Sequence, residues 1–408
     1  MSSSSLPEPS RVLADFTPAV DEALLARARR LEPIIRQYAD STERERRVAR
    51  PVLDGMREAG LFRMFTPRSL GGLEVDPISV ARVTEEIAGF DSAAAWTLQA
   101  GNVASWWSAR LPEEGIAELF ADGPDQLVAA SFSPPHRAEP MPGGYRFTGR
   151  GPLASTIQDS PWLLMTGIVF DGEQPRMTPF GPMVVGLIMR TTEVQIIDTW
   201  ESLGMRGTDS NDVAAEAVFV PERRTYVVVP VYERGRHFAG ALYRMPALAS
   251  VDAIIAPVAL AIARAAIGEV RELADRKTPL GSSKTMSHRP AVQAALADGE
   301  AQLRAARLFF YQTLNTTWQR ALADETATLE QRADLMLAGA HAVRTSARVT
   351  DLMHRMGGSS GIYERSRLAR HFRDAQTVRH HGFLSESRFE TVGQVYLGVE
   401  PEFGFVAF

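Results

Sequence analysis

Two stretches late in the chain, Val292 to Leu322 and Ala327 to Met356, carry apolar residues at three- and four-residue steps with little proline. Helices of that length bury an apolar stripe only by packing on one another, so the pattern predicts a four-helix bundle within residues 233–408. Helical spacing also marks residues 19–125, where Leu24, Leu25, Ala28, Leu31, Ile34 and Ile35 recur on one face. Breaker clusters interrupt it at Pro67 to Gly72 and at Asp76-Pro77, and Asp91-Ser92 reads as a helix start. Between these regions, residues 126–232 change to short apolar runs with Pro/Gly punctuation, such as Trp162 to Val169 and Met183 to Met189. That texture predicts a small antiparallel β domain. Residues 1–18 are expected to be a disordered tail, Ser- and Pro-rich at its start and without the basic-then-apolar order of a signal peptide.

Composition narrows the function. A net charge of -5 gives no reason to expect a nucleic-acid partner. The chain has no cysteine, which removes disulfides, thiolate metal sites and cysteine nucleophiles, and no metal is expected. No apolar run approaches the roughly 20 residues that span a bilayer, so no membrane partner and a cytoplasmic location are expected.

Three segments are informative together: Gly144-Tyr145-Arg146-Phe147-Thr148-Gly149 leading to Ala154-Ser155; Leu203-Gly204-Met205-Arg206-Gly207-Thr208 leading to Val220-Pro221-Glu222; and Met356-Gly357-Gly358 followed by Arg373-Asp374 and Arg379-His380-His381-Gly382. In this order, over nearly the whole chain, the sequence resembles the acyl-CoA dehydrogenase superfamily. The resemblance implies an N-terminal helical domain, a middle antiparallel β domain and a C-terminal four-helix bundle. Acyl-thioester dehydrogenases commonly place a catalytic Glu a few residues past the Arg-Asp step, where this chain has Gly382. Glycine carries no proton. The preceding His381 does so near working pH, and a histidine here resembles the two-component flavin monooxygenase branch.

What the resemblance implies for individual residues follows from those motifs. Ser155 matches the hydroxyl that meets the flavin near N5, with Thr156 able to share or displace it. His381 is the expected acid/base, with His380 as its one-residue competitor. Arg276 matches an arginine that binds the flavin phosphate across a subunit boundary, Gly357 and Gly358 match a pair that lets backbone approach the cofactor, and Arg206 is a further cofactor candidate. Relatives use another histidine from an N-terminal helix. Here Asn102, Trp106 and Trp107 occupy that region and are expected to wall the substrate pocket.

The implied activity is oxygenation of a small aromatic or heteroatom-containing substrate through a C4a-hydroperoxyflavin. It would use O2 and reduced FMN, or alternatively FAD. No G-x-G-x-x-G enters a helix after a strand, so a separate NAD(P)H:flavin reductase is expected, and the family suggests a homotetramer. Two alternatives stand beside this reading: an FAD-dependent acyl-CoA dehydrogenase with Asp252 or His381 as an unconventional base, and an inactive flavin-binding scaffold.

Overall fold

The computed structural model describes residues 19–179 and 181–408; the expected tail, residues 1–18, lies outside them. The N-terminal unit contains α1 (Glu22–Arg29), α2 (Glu32–Glu45), α3 (Arg50–Glu58), α4 (Pro77–Phe90), α5 (Ser92–Trp96), α6 (Leu98–Trp107) and α7 (Glu113–Leu119). Short polar side chains start its helices. Asp21, Asp76 and Asp91 each accept a backbone N–H of the first turn of α1, α4 and α5, satisfying a donor that would otherwise have no partner.

The β unit runs from β1 (Val128–Met141) through β2 (Gly144–Ala154), β3 (Trp162–Asp171), β4 (Gln174–Pro175), β5 (Met177–Thr178), β6 (Gly181–Pro182), β7 (Val184–Arg190), β8 (Gln195–Ile197) and β9 (Asn211–Pro221) to β10 (Thr225–Val227). Its main sheet has the order β10-β7-β3-β1-β2-β9-β8. The expected antiparallel sheet needs one correction, because β1 and β3 pair in parallel, Ala129 opposite Leu163. The β1-β2 hairpin places β2 on the far side of β1, so the chain crosses over to reach β3 in the same direction. Register breaks fall between Ser131 and His136 in β1 and between Gly151 and Ala154 in β2. Such irregularities re-aim side chains, and here Phe132 and Leu153 turn toward a cavity beside the helices.

The C-terminal unit is built on α8 (Ala247–Arg276), α9 (Pro290–Leu322) and α10 (Leu329–Gly357), completed by α11 (Arg367–Val378) and α12 (Arg388–Tyr396). A capping box of Thr328 and Gln331 fixes the start of α10. Small residues let the helices approach closely: a Cβ on Gly299 would lie 3.1 Å from Met353, and one on Gly339 would lie 2.5 Å from the Asp252 carboxylate. α8 is longer and more apolar than expected, enough by length and composition to cross a bilayer. It is instead the central core helix, with 83% of its apolar window buried among α4, α10 and α11.

Candidate active site

A cavity of about 750 Å³ opens where α5 and α6, the middle strands β1, β2 and β3 and the turn after α11 meet. That volume lies in the range of small-molecule and cofactor sites. One wall is a polar strip. Trp96 Nε1 donates to Ser155 Oγ at 3.1 Å, Ser155 Oγ lies 2.8 Å from Ser210 Oγ, and Ser210 Oγ lies 2.6 Å from Thr208 Oγ1. Backbone geometry exposes this strip, since Leu153 and Thr156 both take positive φ, 60° and 64°. For non-glycine residues this left-handed region is costly and collects at functional sites. Thr156 N–H donates to Thr208 O at 2.8 Å and anchors the turn, while its buried Oγ1 has no partner among the described residues. Thr156 stays outside the cavity lining, whereas the hydroxyls of Ser155, Ser210 and Thr208 belong to lining residues and fit a flavin edge bearing donors and acceptors.

The opposite wall is aromatic. The His381 ring stands edge-on to Trp96, with centroids 5.4 Å apart, and 5.7 Å from Phe383. Phe383 meets Phe132 at 5.8 Å, and Phe132 meets Trp107 at 5.6 Å. His381 Nδ1 is buried without a partner among the described residues. Burial among these rings disfavours the imidazolium and lowers its pKa to about 4, so the ring is neutral at physiological pH. His380 also lines the cavity but is exposed. The backbone holds both, with His380 N–H on Thr377 O and His381 N–H on Val378 O.

Gly382 sits at the exposed tip of this turn. Its φ is outside the left-handed region, and an added Cβ would meet no atom within 4 Å. A side chain at this position therefore meets neither a steric nor a backbone obstacle. Gly382→Glu is expected to fold with stability within about 0.5 kcal/mol of the parent, as an unconstrained surface change should; urea unfolding checks it.

The Arg-Asp step fixes the turn from below. Asp374 accepts Met205 N–H and Ser92 Oγ–H, each at 2.6 Å. Arg370 reaches Asp91 at 2.7 Å and Ala39 O at 3.0 Å, and Arg373 pairs with Glu43 at 2.8 Å. Burial is the largest influence on Asp374 and raises its pKa to about 6, against the pull of Arg370. A Cβ on Gly204 would come within 2.3 Å of the Arg373 backbone, so the loop before Met205 lies flat on α11. The conjunction of Gly204-Met205 with Arg373-Asp374 is a packing joint behind the cavity.

Other expected site residues fall elsewhere. Asn102 is fully buried: its Oδ1 accepts Phe65 N–H, and its Nδ2 donates to Leu61 O and Leu98 O. Every polar atom is committed to backbone, so it holds α6 against its neighbours and does not face the cavity. Trp106 packs into the core on Phe65 and Tyr243. Of the three only Trp107 lines the cavity, because Gln99, Val103 and Trp107 share the cavity-facing side of α6 and residues 102 and 106 lie about 60° to 100° round the helix from it. Arg206 lines a separate cleft of about 710 Å³ between α2 and α11. Arg276 is exposed at the end of α8 beside Glu272. Gly357 accepts Lys277 Nζ on its carbonyl at 2.8 Å, and Gly358 ends α10 with φ of 53°. Neither of them nor Arg276 lines the cavity of its own chain. Asp252 is 0% exposed and outside the cavity lining, so it cannot touch a substrate as the alternative dehydrogenase base. Sequence reasoning missed Trp96, Ser210, Phe132 and Phe383. Only Ser210 had a local signal, two residues past the Leu203-Thr208 match.

Comparison with known proteins agrees with this architecture. Residues 21–111 match the acyl-CoA dehydrogenase N-terminal domain and residues 253–386 the acyl-CoA dehydrogenase C-terminal domain. The chain is 31% identical over 366 residues to an indole-3-acetate monooxygenase of Pseudomonas putida, covering 89% of this chain and 91% of that one. It is 26% identical to an FADH(2)-dependent resorcinol hydroxylase oxygenase component of Rhizobium sp., covering 93% and 95%. The fold matches XiaF from Streptomyces sp., solved with FADH2 and glycerol, with a TM-score of 0.85 and 23% identity over 93% of this chain and 96% of that one. With both domains and a near full-length relative in agreement, the chain belongs to the acyl-CoA dehydrogenase superfamily, in its flavin-dependent monooxygenase branch.

Proposed function

We propose that this protein is the oxygenase component of a two-component hydroxylase acting on a small aromatic substrate. The observation that carries the reading is the junction at Trp96, which donates to Ser155 on the polar strip and packs against His381 on the aromatic wall. When bound, reduced flavin supplies two electrons to O2, so that one oxygen atom enters a ring C–H bond and the other leaves as water. Ser155 offers its hydroxyl to the flavin edge, and Thr156 anchors the turn behind it. The rings of Trp107, Phe132 and Phe383 exclude water and stack a flat substrate. His381, neutral and with Nδ1 unpartnered among the described residues, holds or moves the proton exchanged at the substrate. His380 is the competitor for that role. FMN is the proposed flavin, with FAD as its alternative, and extraction of bound cofactor distinguishes them.

Mixing chemically reduced FMN with the protein and indole-3-acetate, the named substrate of one relative, under air should give hydroxylated product. Hydrogen peroxide as the sole product across a panel of aromatics, or substantial acyl-CoA oxidation, would overturn the reading.

The same proposal includes a separate flavin reductase, a cytoplasmic location and a homotetramer with flavin sites at subunit boundaries. Support for the last comes from Arg276 and Gly357-Gly358, which lie away from their own chain's cavity, and from Leu308, Phe309 and Leu322, exposed on α9. Sedimentation at micromolar concentration should show a tetramer; a monomer that binds flavin tightly would defeat it.

A further inference from the structure

One charge near the cavity has no counterpart. Arg110 closes the 3-10 turn Ser108–Arg110 that follows α6, and its guanidinium carbon lies 4.2 Å from the Trp107 ring centroid and 4.0 Å from that of Tyr232. Its Nε and Nη1 are buried with no hydrogen-bond partner, and no carboxylate pairs with it among the described residues. The nearby acids are committed elsewhere, Glu113 to Arg236 and His237, Glu118 to Arg223 and Arg224. Burial lowers the Arg110 pKa, as it must for a cation without an anion. Two more polar groups here lack partners: Trp107 Nε1 and the hydroxyl of Tyr226, whose ring is stacked on Trp107 at 6.4 Å. Trp107 lines the cavity.

Arg110 is half-buried, and a guanidinium with two nitrogens shut off from water and from any partner is costly to keep unless a charge arrives to complement it. We infer that the Trp107 end of the cavity selects an aromatic substrate bearing a carboxylate, with Arg110 acting through the Trp107 wall as the specificity-determining charge. The inference rests on the hydroxylase reading and adds to it the charge of the substrate. Arg110 is a positioning residue in this scheme, since its nitrogens do not open on the cavity. Attraction between unit charges roughly 8 Å apart at an effective dielectric constant of about 20 favours the anion by about 10- to 30-fold.

The test compares indole-3-acetate with the neutral isostere indole-3-acetamide. Affinity is measured by calorimetry on the purified full-length protein, and KM and kcat with reduced FMN. The unaltered protein should bind the acid about 10- to 30-fold more tightly than the amide. Arg110→Met should remove this preference by raising KM for the acid while leaving kcat, and KM for the amide, within about twofold. Arg110→Lys, which retains the charge, should keep part of the preference. Equal affinity for acid and amide in the unaltered protein overturns the inference whether or not the variants fold. An Arg110→Met variant that weakens both compounds equally also overturns it, since that is the mark of a structural role. Preferential acid binding without any hydroxylated product would instead strike the hydroxylase reading and leave the charge selection standing.

Discussion

His381→Ala lowers hydroxylated product formation by about 10² to 10⁴, the usual worth of a positioned acid/base, while flavin binding and fold persist. Among the described residues the ring makes no side-chain hydrogen bond, and its packing on Trp96 and Phe383 is one side of a cavity already open. His380→Ala does much less. Single-turnover oxidation of reduced FMN, with peroxide and product both quantified, separates the two; normal product from His381→Ala with loss in His380→Ala shifts the assignment by one residue. The pH dependence has a definite sign. The folded pKa of about 4 lies below the unfolded value of about 6.5. Between them the unfolded chain binds the proton first, so the stability this neutral ring contributes is full above about 6.5 and is lost as pH falls through about 4. Product formation dependent on a neutral His381 should hold from pH 6 to 8. A yield that climbs on acidification would reverse the role.

Arg370→Ala is the most damaging single change expected for the fold. Arg370 faces Asp91, which is 3% exposed at its side chain, and also Glu43 and Asp374. Removing one member of a buried ion network strands the others without compensation, a loss of about 3–5 kcal/mol. Asp91 also caps α5, so the damage reaches Trp96. Urea unfolding should show the unfolding free energy falling by that amount, with flavin affinity falling alongside. Arg379→Ala, at an exposed pair with Glu386, serves as control and should cost under 1 kcal/mol. If both variants behave alike, the joint does not carry the fold.

Long helices were legible because α9 and α10 repeat their apolar positions over many turns, and the cap at Asp91 because a short acceptor before an alanine run has few other uses. His381 was legible through its spacing from Arg373-Asp374. The aromatic wall was not, since Trp107, Phe132, Phe383 and His381 come from three units and meet only after folding. Asn102 misled for a related reason. A polar residue among tryptophans reads as a ligand contact, yet three backbone groups consume it. Arg110 carried no signal in the sequence, because nothing local to it shows that the acids nearby pair with other residues.

The bare tip at Gly382 has a consequence for how this scaffold changes occupation over evolutionary time. The position where the family resemblance places a dehydrogenase Glu projects free of the interior, while the rivets behind it, Arg370 and Asp374, lie further back along the same segment. A mutation at the tip is nearly invisible to folding, so a lineage can exchange one reactive group for another without first acquiring spare stability. The rivets cannot drift so freely. Chemistry on this fold should therefore diversify faster than the short segment that presents it.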